Sequence, residues 1–216
     1  MRVLDIETID TDGAIRETQE EAMTRSTAVR RAAAFGGAFL GGGALLGMLA
    51  PGAKAAGLSK GDVAILNYAL TLEYLEAAFY AEAVAKNALA GELKVFAKVV
   101  GEHEAAHVAG LKQVLGGKAV KSPKFDFQGT TADPAKFAAT AQVLEDTGVA
   151  AYKGQAGLVK SHTILVAALS IHAVEARHAG WIRAINGAAP APNAFDAPLS
   201  MKQVLSAVKK TKFIAG

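Results

Sequence analysis

The chain has 216 residues, of which 51% are hydrophobic but only 6% aromatic, so alanine- and glycine-rich helix packing suits it better than sheet. It contains no cysteine, which excludes disulfides, thiolate zinc sites, iron–sulfur clusters and thiol nucleophiles. Its net charge is a mild +3, with Lys209, Lys210 and Lys212 the one basic cluster, so there is no basic stripe of the kind nucleic acid requires.

The first segment reads as an export signal. Residues 1–31 are polar, acid-rich and end in Arg30-Arg31. An apolar, glycine-rich run, 32–50, leads to Pro51-Gly52 and the small-x-small triplet Ala53-Lys54-Ala55. That order is the order of a secretory signal, and the paired arginines with a weakly hydrophobic run point to twin-arginine export. The motif is degraded after the arginines, and the acidic leader is atypical. Gly36-Gly37 and Gly41-Gly42-Gly43 argue against a packed soluble helix, at ~1 kcal/mol each relative to alanine. An uncleaved membrane anchor is the alternative, since the run is about the ~20 residues that span a bilayer. The expectation for residues 1–55 is therefore a bacterial periplasmic or cell-envelope destination, with cleavage near Ala55 or retention as an anchor.

Four helices follow. Ser59 can cap a helix over 59–87, with Asp62 at the capping-box position and Leu66, Leu70, Ala77 and Val84 on its buried face. A second runs over 92–115, striped by Leu93, Val100, Leu111 and Val114 and stopped by Gly116-Gly117. Asp133-Pro134 opens a third, which continues to Lys160. Ser161 starts the fourth, striped by Ile164, Ala168, Ile171, Ile182 and Ile185. Short links make the first and second, and the third and fourth, antiparallel neighbours. The stretch 117–133 is long enough to cross from one end of a bundle to the other. The expected organisation is a bundle over 56–187, then a tail over 188–216 holding a short helix from about Ser200 to Lys210.

Each stripe is interrupted by polar residues. The first helix places Glu73 and Tyr80 on its seam, and the third repeats this with Glu145 and Tyr152. The second and fourth carry Glu-x-x-His pairs, Glu104 with His107 and Glu175 with His178. An i, i+3 spacing puts both side chains on one helix face. A buried carboxylate without a partner costs several kcal/mol, and no lysine or arginine lies on these seams. Two divalent cations would balance the four carboxylates. One glutamate from each of two helices, with Glu-x-x-His from each of the others, is the ligand arrangement of di-iron and di-manganese bundles. Tyr80 and Tyr152, two turns on from the glutamates, can hydrogen-bond a ligating carboxylate across the bundle.

The halves repeat. Leu72-Glu73, Ala78 and Tyr80 match Leu144-Glu145, Ala150 and Tyr152 at an offset of 72, and the Glu-x-x-His pairs match at 71. This predicts an all-α fold built from a duplicated helix hairpin, with a pseudo-twofold axis through the site.

These residues resemble the ferritin-like superfamily: a four-helix bundle with one long crossover. The doubled Glu-x-x-His is similar to the bacterioferritin and rubrerythrin branches. The run from Leu66 to Glu76, with Phe125-Asp126-Phe127 in the crossover, most resembles exported bacterial ferritin-like proteins related to desiccation-associated proteins. The resemblance implies Glu73, Glu104, His107, Glu145, Glu175 and His178 as ligands of two iron or manganese ions. It brings no settled activity. Gly148 stands where the rubrerythrin branch carries an additional ligand. Glu76, one turn beyond Glu73, is expected at the seam edge, solvated or in an outer role. His103, His162 and His172 are expected to be incidental, with His172 placed nearest the site.

Two readings of function follow. One is a redox metalloprotein acting on oxygen, peroxide or ferrous iron in stress protection, with Tyr80 or Tyr152 as proton or electron donor. The other is a protective bundle in which the metals staple the core without turnover.

Overall fold

A computed structural model describes residues 57–215. The expected export signal or anchor, 1–55, lies outside the described residues.

Helix α1, Lys60–Lys86, starts as expected, with Ser59 Oγ accepting from the Asp62 backbone N–H at 3.0 Å. The Asp62 carboxylate does not close a capping box. It is buried and accepts the Lys160 backbone N–H at 2.8 Å, tying the start of α1 to the link between the third and fourth helices. Asn87, at φ 52°, turns the chain out of α1, a left-handed position that asparagine tolerates. Helix α2 is Gly91–Leu115 and helix α3 is Pro134–Ala156. Asp133 caps α3 by accepting from the Ala135 and Lys136 N–H groups, each at 3.0 Å.

Helix α3 ends four residues before the expected Lys160. The Leu158 N–H turns back to Gln155 O at 2.9 Å, and the freed stretch carries the Lys160 N–H to Asp62. Helix α4, His162–Ile185, opens at Ser161. The hairpins α1/α2 and α3/α4 pack along their lengths, and α1 also meets α3 while α2 meets α4. The fold is thus the expected all-α four-helix bundle with one long crossover. Val84 does not lie on the buried face: it is 47% exposed, and Ala83 takes the inner position. A 3.6-residue turn drifts from a strict seven-residue seam over a helix this long.

The crossover is pinned to α1. Asn67 donates to Lys118 O at 3.0 Å and accepts from the Val120 N–H at 2.8 Å, and Thr131 Oγ1 donates to Glu82 at 2.5 Å. Phe127 is buried edge-on against Phe79.

The tail belongs to the core. The Leu199 N–H donates to Ala150 O at 3.0 Å, laying this segment along α3. Helix α5, Met201–Thr211, is held by a capping box between Ser200 and Gln203. Val204, Val208 and Phe213 are buried in the same apolar cluster as Phe79 and Phe137. Strand β1, Lys124–Phe125 in the crossover, pairs antiparallel with β2, Ile214–Ala215. Among the described residues, no helix is long and apolar enough to cross a membrane.

Candidate metal centre

The four seams deliver their polar residues to one place in the middle of the bundle. Glu73, Glu104, Glu145 and Glu175 are each 0% exposed, and His107 and His178 are buried beside them. Each comes from a helix whose flanking apolar residues force that face inward: Leu70 and Tyr80 on α1, Val100 and Leu111 on α2, Ala141 and Tyr152 on α3, Ile171 and Ile182 on α4.

Two groups of ligating atoms form. Glu73, Glu104, His107 and Glu175 offer atoms all within 4.8 Å of one another, and so do Glu104, Glu145, Glu175 and His178. Glu104 and Glu175 are common to both groups. His107 Nδ1 lies 3.1 Å from Glu73 Oε2, 3.0 Å from Glu104 Oε2 and 3.2 Å from Glu175 Oε1. A single ring N–H cannot serve three carboxylate oxygens. His178 Nδ1 lies 3.1 Å from Glu104 Oε1 and 3.3 Å from Glu145 Oε2 without hydrogen-bond alignment. Both oxygens of Glu175, Glu104 Oε1, Glu145 Oε2 and His178 Nδ1 are enclosed with no hydrogen-bond partner. Buried polar atoms are otherwise nearly always paired, so this convergence fits a cation held by oxygen and imidazole donors.

The tyrosines lie across the bundle from the carboxylates they touch. Tyr80 on α1 donates to Glu145 Oε1 on α3, and Tyr152 on α3 donates to Glu73 Oε1 on α1 at 2.5 Å. Glu73 and Glu145 therefore each have one oxygen held by a phenol and the other facing a histidine. Burial and the neighbouring carboxylates push both phenols up, so they remain donors.

Charges in the metal-free cluster are settled by protons. Burial, then the other carboxylates, holds Glu104 and Glu175 well above the ordinary range. Burial also pushes Glu73 up, but the His107 charge and hydrogen bonds from His107, Glu104 and Tyr152 bring it below its usual value. Burial disfavours the His107 cation, yet Glu73 and the hydrogen-bonded carboxylates outweigh this and raise it. Both shifts favour a His107 cation beside an ionised Glu73.

Two expectations need correction. Glu76 is not solvated: it is 4% exposed and points into the cluster's surroundings. His103 is not incidental, because its Nδ1 lies 2.9 Å from His178 Nε2. His162 is exposed. His172 is half-buried, and the charges acting on it are those of Asp196 and Lys153, away from the cluster. Beside the site, an apolar cavity of about 40 Å³ is lined by Tyr68, Leu111, Tyr152, Ile164, Ala167 and Ile171.

A connected bundle with this buried carboxylate and histidine cluster defines a class: helical proteins whose core is compatible with a metal site. The chain belongs to the ferritin-like domain family, whose signature matches residues 61–188. No curated protein matches it.

Proposed function

We propose that the cluster holds two divalent cations, iron or manganese, and supports redox chemistry on oxygen, peroxide or ferrous iron. The observation that carries this reading is the pair of overlapping ligand groups that share Glu104 and Glu175. Glu104 and Glu175 would serve both ions, Glu73 and His107 would help hold one, and Glu145 and His178 the other. A carboxylate-bridged pair of metal ions supplies two-electron chemistry and a Lewis-acidic site for a small oxygen species. The chain's own part is to exclude water, to hold Glu73 and Glu145 by one oxygen each through Tyr152 and Tyr80, and to keep those phenol protons in reserve. The donor set suits iron and manganese alike.

Elemental analysis after reconstitution should give two ions per chain, and the Glu104→Ala, Glu175→Ala double variant should bind none while staying helical. No bound metal, or a single zinc elsewhere, would sink the reading. Complete burial of the four carboxylates favours a second reading, in which the metals staple the core and nothing turns over. Stopped-flow spectra of the loaded protein mixed with oxygen or peroxide separate the two, because a staple gives no transient.

The proposal extends to location. A site with no cysteine needs no oxidising compartment, so loading before twin-arginine export costs it nothing chemically. Replacing Arg30 and Arg31 by lysine should strand loaded, uncleaved protein in the cytoplasm. Normal processing of that variant would dismiss the export route and leave the metal site untouched.

A further inference from the structure

The two halves of the repeat differ at the site itself. The offset that pairs Glu73 with Glu145 also pairs Glu76 with Gly148, and the offset that pairs His107 with His178 pairs His103 with Val174. Neither departure is idle. A Cβ added to Gly148 would lie 3.5 Å from Glu76 Oε1 and 3.1 Å from Glu175 Oε2. Glu76 therefore reaches from α1 into the space that the glycine leaves on α3, one turn from Glu145 and beside Glu175.

A carboxyl at 4% exposure in that place requires a partner. The charges acting on it are carboxylates, Glu175 and Glu145 ahead of Glu104 and Glu73, so burial and repulsion together push it up. Glu175 Oε2, which meets the same Gly148 position, is enclosed and unpaired. His103, the second departure, stacks on His178 with ring centres 5.1 Å apart. Both additions fall on the side of Glu145 and His178, and the Glu73–His107 side has neither.

We propose that Glu76 is a fifth carboxylate ligand, serving the cation beside His178. The two positions are therefore unequal, and the His178 side fills first. This rests on the dinuclear reading. An extra anionic oxygen donor raises affinity for a hard divalent cation at the position it reaches. A histidine whose far nitrogen is held by His103 is also better oriented to ligate.

Calorimetric titration of the metal-free full chain with Mn(II) tests this. The wild type should show two resolved steps. Glu76→Gln, an isostere of the protonated carboxyl that keeps the metal-free packing, should weaken the tighter step by ~10-fold or more and leave the other step in place. Circular dichroism checks that the variant is folded, and if it is not, Glu76→Asp, with its shorter reach, should weaken the same step. Cobalt(II) absorption gives an independent reading, since loss of a ligand changes the coordination number at the first site filled. Two steps unchanged by Glu76→Gln, or an equal loss from both, would overturn the assignment while the dinuclear site survives. A wild type that binds nothing would overturn the dinuclear reading as well.

Discussion

His103 Nδ1 and His178 Nε2 are 2.9 Å apart, so the ring that faces Glu104 and Glu145 through one nitrogen is held through the other. If His178 ligates through Nδ1, its Nε2–H donates to His103, which fixes both tautomer and ring orientation. His103→Leu should lower metal affinity by ~10–100-fold, as loss of such partners does elsewhere. His103→Gln, whose amide oxygen can accept the same N–H, should recover part of it. Chelator competition measures both, and equal affinities for wild type and His103→Leu would show the contact to be incidental.

The metal-free protein should become more stable as the pH falls from neutrality towards about 4.5. Glu76, Glu104 and Glu175 are raised above their ordinary value of 4.5, so their contribution is full below that pH and is lost as the pH climbs through their folded values. His107, raised from 6.5, has the same sign, with its contribution full below 6.5. Glu73 is depressed and opposes the trend below about 4.5, where its contribution is lost, and His103 and His172, lowered chiefly by burial, oppose it below 6.5, against the larger number of raised groups. The loaded protein should slope the other way, because protons compete with metal for the ligands. Urea denaturation across pH, with and without metal, checks this. Parallel curves would remove the buried carboxylate cluster as the cause.

Tyr80→Phe and Tyr152→Phe each take the phenol donor from a buried carboxylate. Each should destabilise the metal-free protein by about 1–3 kcal/mol. The two variants act on one network, so their sum and the double variant should disagree by more than ~0.5 kcal/mol. Additive losses in denaturant midpoints would mean that the two bonds are energetically independent.

Gly154 supports the strap along α3. A Cβ there would lie 1.9 Å from Leu199 O, a backbone atom that cannot rotate away. Gly154→Ala should break the Leu199–Ala150 hydrogen bond and cost about 1–3 kcal/mol. Gly157→Ala is the control: no atom lies within 4 Å and φ is −71°, so it should be neutral or stabilising by ~0.4–1 kcal/mol. A thermal melt in which both glycine variants behave alike would contradict the strap's role.

The bundle was legible because Glu-x-x-His and Glu-to-Tyr spacings fall on apolar seams, and a period of 3.6 carries both to the interior. Glu76 is hard to place from sequence because its i+3 spacing sets it at the edge of the Glu73 face, and whether that edge meets core or water depends on the neighbouring helix. The space that admits it is made by Gly148 on another helix, and only the repeat offset hints at that. His103 was missed for a similar reason, since its partner lies 75 residues away. The tail carried a usable signal in Val204 and Val208, one helical turn apart, but the proline-rich stretch before them breaks the pattern that would assign them to the bundle. The early end of α3 followed from Asp62 claiming the Lys160 N–H, a long-range contact that local pattern does not encode.

Pairing of β1 with β2 also imposes an order on folding. The six ligand candidates and the four bundle helices all precede α5 and β2 in the chain, and the bundle can form its helices before the tail docks. The crossover still lacks its strand partner, and the apolar cluster around Phe79 and Phe127 lacks Val204, Val208 and Phe213. Until the tail docks, the ligand residues lie on helices whose apolar core is incomplete, so metal ions reach the carboxylates more readily in that partly folded state than in the finished fold, where all four are fully buried.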